Sequence, residues 1–148
     1  MNATVVVGAL LVTALDALTK AWARHALASR DLHVWRGLWF RLQYNAGISF
    51  SFNRSGPLAT TVLTALITAA VAVVGLRARH GLASVGFALL VGGGAGNVLD
   101  RMSASPARVT DFVALGSFPV FNLADVAISA GFLTLLVVVL RGERLLAR

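Results

Sequence analysis

The sequence predicts an all-α integral membrane protein, four transmembrane helices with a small extracytoplasmic β-cradle or amphipathic loop after the first helix. Three observations predict it. The mean hydropathy is +0.80, and 57% of the 148 residues are hydrophobic. Only 13% are charged, against about 25% in an ordinary soluble domain. The apolar residues also gather in four runs, each near the roughly 20 helical residues that cross a hydrocarbon core about 30 Å thick. This composition excludes a disordered chain. Fourteen Gly and three Pro without a period exclude a collagen-like chain, and the absence of Cys excludes a disulfide framework. A net charge of +7 raises the question of nucleic acid, but the aliphatic bulk argues against that partner.

The first run spans about residues 5–24 and carries Asp16 and Lys20. Ala21-Trp22-Ala23 imitates a signal-peptide cleavage site. However, no positive residue precedes the run, and two charges interrupt its core, so an uncleaved helix is expected. The connection at about 28–56 is long. Within it Leu38–Phe52 shows alternation at Leu42/Tyr44 and at Ile48/Phe50/Phe52, read as short β-structure at the membrane surface. Trp22, Trp35, Trp39 and Tyr44 suit the interfacial aromatic belt.

The second run, about 57–76, is uncharged and opens on Pro57, which a helical first turn tolerates. Arg77–Gly81 reads as a tight turn. The third run, about 82–99, contains Gly92-Gly93-Gly94-Ala95-Gly96. That Gly-x-x-x-Gly spacing marks a close helix contact and lacks the Gly-Lys-Ser/Thr ending of a phosphate loop. A second extracytoplasmic loop, about 101–121, leads to the fourth run, about 122–140. Residues 1–148 thus read as a single membrane domain. Four spans place both termini on one side. Arg77 and Arg79 in a tight turn and Arg141, Arg144 and Arg148 in a short tail make that side the denser in arginine. Arg30, Arg36, Arg41, Arg54 and Arg108 are spread over the two long loops. The positive-inside rule then puts both termini in the cytoplasm.

The six acidic residues carry the most information. Asp31 and Glu143 fall in a loop and the tail, where they are expected to be solvated. Asp16, Asp100, Asp111 and Asp125 lie in or beside apolar spans, where a charge costs about 2.5–3.5 kcal/mol at the bilayer centre and calls for a function. With alternating helix directions, Asp16 and Lys20, Asn97, Asp100 and Arg101, Asp111, and Asn122 and Asp125 all fall near one leaflet surface. Asp16–Lys20 is an i,i+4 pair, and Asn97–Asp100 and Asn122–Asp125 are i,i+3. Each helix therefore presents a polar stripe that is stable in lipid only when the stripes face one another. Taken singly, each has a structural reading: a helix-packing ion pair for Asp16–Lys20, interfacial anchoring for Asp100–Arg101, a cap and dipole partner for Asn122 and Asp125.

The residue types narrow the chemistry. There is no Cys nucleophile, and no His lies within any polar stripe to build a Ser-His-Asp triad. His25, His33 and His80 show no metal-ligand spacing. Carboxylates remain. Two close aspartates share a proton and titrate as a coupled pair, one as base toward water and the other as acid toward a scissile carbonyl. Asp111 and Asp125 are candidates, with Asp100 a third. The residues alone carry the argument to an aspartate pair capable of hydrolysis.

Five blocks then carry a resemblance: Asp16-Ala-Leu-Thr-Lys20, Asn45-Ala-Gly-Ile-Ser-Phe50, Gly93-Gly-Ala-Gly-Asn97-Val-Leu-Asp100-Arg101, Val109-Thr-Asp111-Phe112 and Phe121-Asn122-Leu-Ala-Asp125. In this order, among four apolar spans, they resemble the bacterial lipoprotein signal peptidases (signal peptidase II). Each block is weakly specific, but their joint occurrence is highly specific. The resemblance implies a membrane aspartyl endopeptidase that removes the signal peptide of diacylglyceryl-modified prolipoproteins, cutting before the lipidated cysteine. It implies Asp111 and Asp125 as the catalytic pair, and Asp16, Lys20, Asn45, Asn97, Asp100, Arg101 and Asn122 as binding or supporting residues. It further implies no cofactor and no metal, prolipoprotein substrates and membrane lipids as partners, a monomer, and a place in the bacterial cytoplasmic membrane with the site at the extracytoplasmic surface. Two other readings compete. A proton-coupled transporter predicts ionisable residues at several depths, and a catalytically silent lipoprotein-binding relative predicts loss of one of the two aspartates.

Overall fold

The structure, a computed structural model, describes residues 2–46 and 56–147. The expected alternation at Ile48, Phe50 and Phe52, and Ser49 and Arg54 with them, lies outside the described residues. Four helices are long and apolar enough to cross a membrane: α1 (Ala3–Ala26), α2 (Gly56–Gly75), α3 (Leu82–Ser103) and α4 (Leu123–Leu140). Large aliphatic side chains such as Leu10, Leu18, Leu66, Val73, Leu133 and Leu140 are exposed on α1, α2 and α4, as suits surfaces whose solvent is lipid.

Helix α3 is the centre of the bundle, and its glycines explain how. Successive residues turn by about 100°, so adjacent glycines face different neighbours. A Cβ on Gly92 would come within 2.6 Å of Val12 Cβ on α1, and one on Gly93 within 2.5 Å of the Ala124 carbonyl on α4. One on Gly94 would strike Thr68 on α2. Gly96, one turn after Gly92, faces α1 again, where a Cβ would lie 2.5 Å from Asp16 Oδ2. Small residues let the backbones approach this closely.

The loops build a three-stranded antiparallel sheet, β1 (Leu32–Trp35), β2 (Leu38–Asn45) and β3 (Val109–Leu115), in that order. β1 and β2 form a hairpin through Gly37, whose φ of 72° suits a residue without a Cβ. β2 pairs with β3 in a register that sets Gln43 opposite Asp111 and Asn45 opposite Val109. Trp22 on α1 meets Phe40 and Phe112 edge-on at centroid distances of 5.4 and 6.1 Å, and this cluster seats the sheet on the end of α1.

Two expectations are corrected. α3 runs one turn past the expected end at residue 99, to Ser103, so Asp100 and Arg101 are helical and project with the stripe begun by Asn97. Asp111 stands in strand β3, where a loop was expected at 101–121. Four of the first five β3 residues, Val109 to Phe112, are buried, so the strand lacks the wet face that makes alternation visible in sequence.

Candidate active site

Chain reversal after β3 brings the two distant motif aspartates together. Phe118 N donates to the Leu115 carbonyl at 2.9 Å, closing a turn, and Phe121 then pairs back on the strand. Phe112 N and Val113 N donate to its carbonyl at 3.0 and 2.8 Å. The next residue, Asn122, caps α4. Its Oδ1 accepts from Asp125 N at 3.0 Å, while Asn122 N donates to Asp125 Oδ2 at 3.1 Å, a reciprocal capping box. The cap expected from spacing is present, and the same residue also serves the site. Asn122 Nδ2 donates to Asp111 Oδ1 at 2.6 Å, so one fully buried asparagine touches both aspartates.

The remaining carboxylate oxygens are held similarly. Asn45 Nδ2, at the end of β2, donates to Asp111 Oδ2 at 3.1 Å, and Asn97 Nδ2 on α3 donates to Asp125 Oδ1 at 2.9 Å. Asn97 Oδ1 accepts from Lys20 Nζ at 2.8 Å and from Asn122 Nδ2 at 3.2 Å. Because an ammonium only donates, Lys20 obliges the Asn97 amide to point its oxygen away from Asp125 and its NH₂ toward it.

Asp16 and Asp100 have other company. Lys20 Nζ lies 2.7 Å from Asp16 Oδ2 and 3.8 Å from Asp100 Oδ2. Asp16 Oδ1 accepts from Ala124 N at 2.9 Å, placing a negative charge at the N-terminus of α4. Asp100 Oδ1 meets Arg24 Nη1 at 2.9 Å, and its Oδ2 accepts from Thr110 N at 2.6 Å. The four gathered carboxylates thus fall into two kinds. Asp16 and Asp100 contact cations, whereas the hydrogen bonds to Asp111 and Asp125 among the described residues come from amide groups alone. Burial, the largest influence, pushes Asp111 up to about 6 despite the amide donors, and the charge of Asp125 adds to the rise.

Asp111 and Asp125 also share a cleft of about 630 Å³ with Asn45, Phe118 and Val120. Val126, Ser129, Ala130 and Leu133 continue it along one face of α4 at i, i+3, i+4 and i+7. Asp100 lines neither this cleft nor its continuation and meets Lys20 and Arg24 instead. Arg101 donates from Nη1 to the Asn97 carbonyl at 3.4 Å, and its Nε is buried with no hydrogen-bond partner among the described residues.

Arg24 and Thr110 belong to this network and were not anticipated. A signal existed for Arg24, since it continues the Asp16–Lys20 stripe by one more i,i+4 step. Thr110 acts partly through its backbone, which no residue type announces.

The family model described as signal peptidase (SPase) II matches residues 8–141. Proteins named lipoprotein signal peptidase are similar along most of the chain. That of Gloeobacter violaceus is 38% identical over 141 residues, covering 91% of this chain and 80% of its own. That of Chlorobium phaeobacteroides is 36% identical over 146 residues, covering 87% and 91%. A solved bacterial membrane enzyme, determined by the in meso method at 2.3 Å, superposes with a TM-score of 0.80 at 23% identity, over 93% of this chain and 88% of that one, a likeness of fold. The chain belongs to the signal peptidase II family of membrane peptidases.

Proposed function

We propose that this chain cleaves diacylglyceryl-modified prolipoproteins before the lipidated cysteine, with Asp111 and Asp125 as its catalytic pair. One observation carries the assignment. Of the four carboxylates gathered at one end of the bundle, these two alone face the 630 Å³ cleft, and neutral amides hold them. A cation in contact favours the ionised form of a carboxylate more strongly than a neutral amide does. An amide orients it and leaves its proton exchangeable.

The protonated member is Asp111, whose buried carboxyl keeps a proton up to about pH 6. Asp125 takes a proton from a water as that water's oxygen attacks the scissile carbonyl carbon. Asp111 gives its proton to the carbonyl oxygen, and a neutral tetrahedral diol results. In the second step Asp125 passes its proton to the amide nitrogen, the C–N bond breaks, and a diol proton returns to Asp111 as the new acid forms.

The row Val126, Ser129, Ala130 and Leu133, apolar but for one small hydroxyl, extends the cleft along α4, over about 10 Å of helix. It suits a substrate that enters from lipid, as an acylated signal peptide does. The arginine-rich turn and tail at the opposite end support a reading with both termini in the cytoplasm, the site at the extracytoplasmic surface of the bacterial cytoplasmic membrane, and one chain sufficient for it. Gathering of Asp16, Lys20, Asp100, Asp111 and Asp125 at one end disfavours the transporter reading.

The test is cleavage of a diacylated prolipoprotein by the purified chain in detergent, with the unacylated precursor beside it. The expected result is one cut before the modified cysteine and none in the unacylated precursor. An intact diacylated precursor would leave the silent relative standing.

A further inference from the structure

Arg24 takes no part in the chemistry above. It lies one turn beyond Lys20 with its side chain 40% exposed, in the position of an ordinary interfacial anchor. Yet its Nη1 reaches inward to Asp100 Oδ1 at 2.9 Å and to Thr110 Oγ1 at 3.0 Å. We propose that Arg24 is a positioning residue for the aspartate pair, acting directly and through Asp100 on the strand that carries Asp111, and through Asp100 on the Lys20–Asn97 arm that orients Asp125. The inference rests on the assignment of that pair.

Two routes lead from Arg24 to the site. In the first, Arg24 and Asp100 together grip Thr110 at its hydroxyl and at its backbone N–H, the latter at 2.6 Å. Thr110 is covalently joined to Asp111, so a slip of β3 at this point moves the Asp111 carboxyl against Asn122 and Asn45.

The second route is electrostatic. Asp16 and Asp100 face Lys20 and Arg24, two charges against two. Lys20 sits 2.7 Å from Asp16 and 3.8 Å from Asp100. It leans away from Asp100 because Arg24 already satisfies that carboxylate. Without Arg24, one ammonium serves two buried carboxylates and is drawn toward Asp100, away from Asn97 Oδ1 at 2.8 Å. The Asn97 amide then loses the donor that dictates its orientation, and Asp125 loses the certainty of its own.

The test compares wild type, R24M, R24K, D100N and R24M/D100N as full-length proteins cleaving one diacylated prolipoprotein, with kcat and KM measured separately. R24M is expected to lose about 100-fold in kcat, the scale of a 1 Å misplacement, while KM stays near wild type. R24K, which restores the charge, recovers most of the rate. R24M/D100N loses less than the two single losses combined, because the two side chains share Thr110 and Lys20. R24Q, which keeps a donor without the charge, makes the same comparison if R24M does not fold, and its kcat is expected between those of R24K and D100N. Wild-type kcat in R24M or R24Q, equal losses in R24M and R24K, or additive losses in the double variant would overturn the proposal. A wild type that cleaves nothing overturns the catalytic assignment beneath it. A wild type that cleaves while R24M matches it overturns the role of Arg24 alone.

Discussion

Asp16 and Asp111 are both buried carboxylates, and their neighbours separate their roles. Asp16 has an ammonium at 2.7 Å, whereas Asp111 has the amides of Asn122 and Asn45 at 2.6 and 3.1 Å. Burial holds the Asp111 proton up to about pH 6, above its ordinary 3.8, although both amides favour the ionised form. Two effects of pH follow. The pair needs that proton, so kcat/KM should fall as pH rises through about 6, as measured by initial rates from pH 4 to 8. Stability moves in the same direction. Between 3.8 and about 6 the folded protein binds more protons at Asp111 than the unfolded chain does, so the contribution of Asp111 to stability declines across that window as pH rises. At this scale the sequence was informative. The intramembrane charges announced themselves by their cost, and the i,i+4 ion pair and the Asn122 cap were visible in spacing. Which carboxylates meet cations and which meet amides was not visible, because those contacts join α1, α3, α4 and β3.

The elements were legible in proportion to their exposure to one solvent. Helices α1, α2 and α4 show long aliphatic surfaces that lipid solvates, and composition finds them. Strand β3 is buried from Val109 to Phe112 and has no period to find. Its position follows instead from the pairing of Asn45 with Val109 and from the return of Phe121. The glycine run of α3 was readable as a packing device, though not as one that meets three helices in turn. Gly93 is the sharpest test of that role. A Cβ there would stand 2.5 Å from the Ala124 carbonyl and 2.8 Å from Ile128 Cγ1, at the helix start that presents Asp125. G93L should lower the melting temperature in detergent by the equivalent of about 1–3 kcal/mol of overpacking. It should also reduce cleavage beyond what the remaining folded fraction explains. An unchanged melting temperature would mean that α3 and α4 are not in close contact at that residue.

In the whole molecule, the polar residues are divided between the two ends of an apolar bundle. At one end Asn2 donates to the Ala78 carbonyl and to Ser84 Oγ at 2.9 and 2.7 Å, and Ala147 N bonds the Arg77 carbonyl at 2.8 Å, tying the start of α1 and the tail to the α2–α3 turn. At the other end lies the carboxylate network under the sheet. The orientation can be read directly, because the natural chain contains no Cys. Single cysteines at His80 and at Arg36 should be labelled in intact cells by an impermeant maleimide only at Arg36, and the reverse pattern would invert the topology. Cleavage requires Asp111 and Asp125 to act together on one water. The direct measurement is the single-turnover cleavage rate of a diacylated prolipoprotein by D111N and D125N, each confirmed as folded by its melting curve. Loss of essentially all cleavage in each variant, with substrate still bound, is the predicted result. Substantial cleavage by either variant would contradict it.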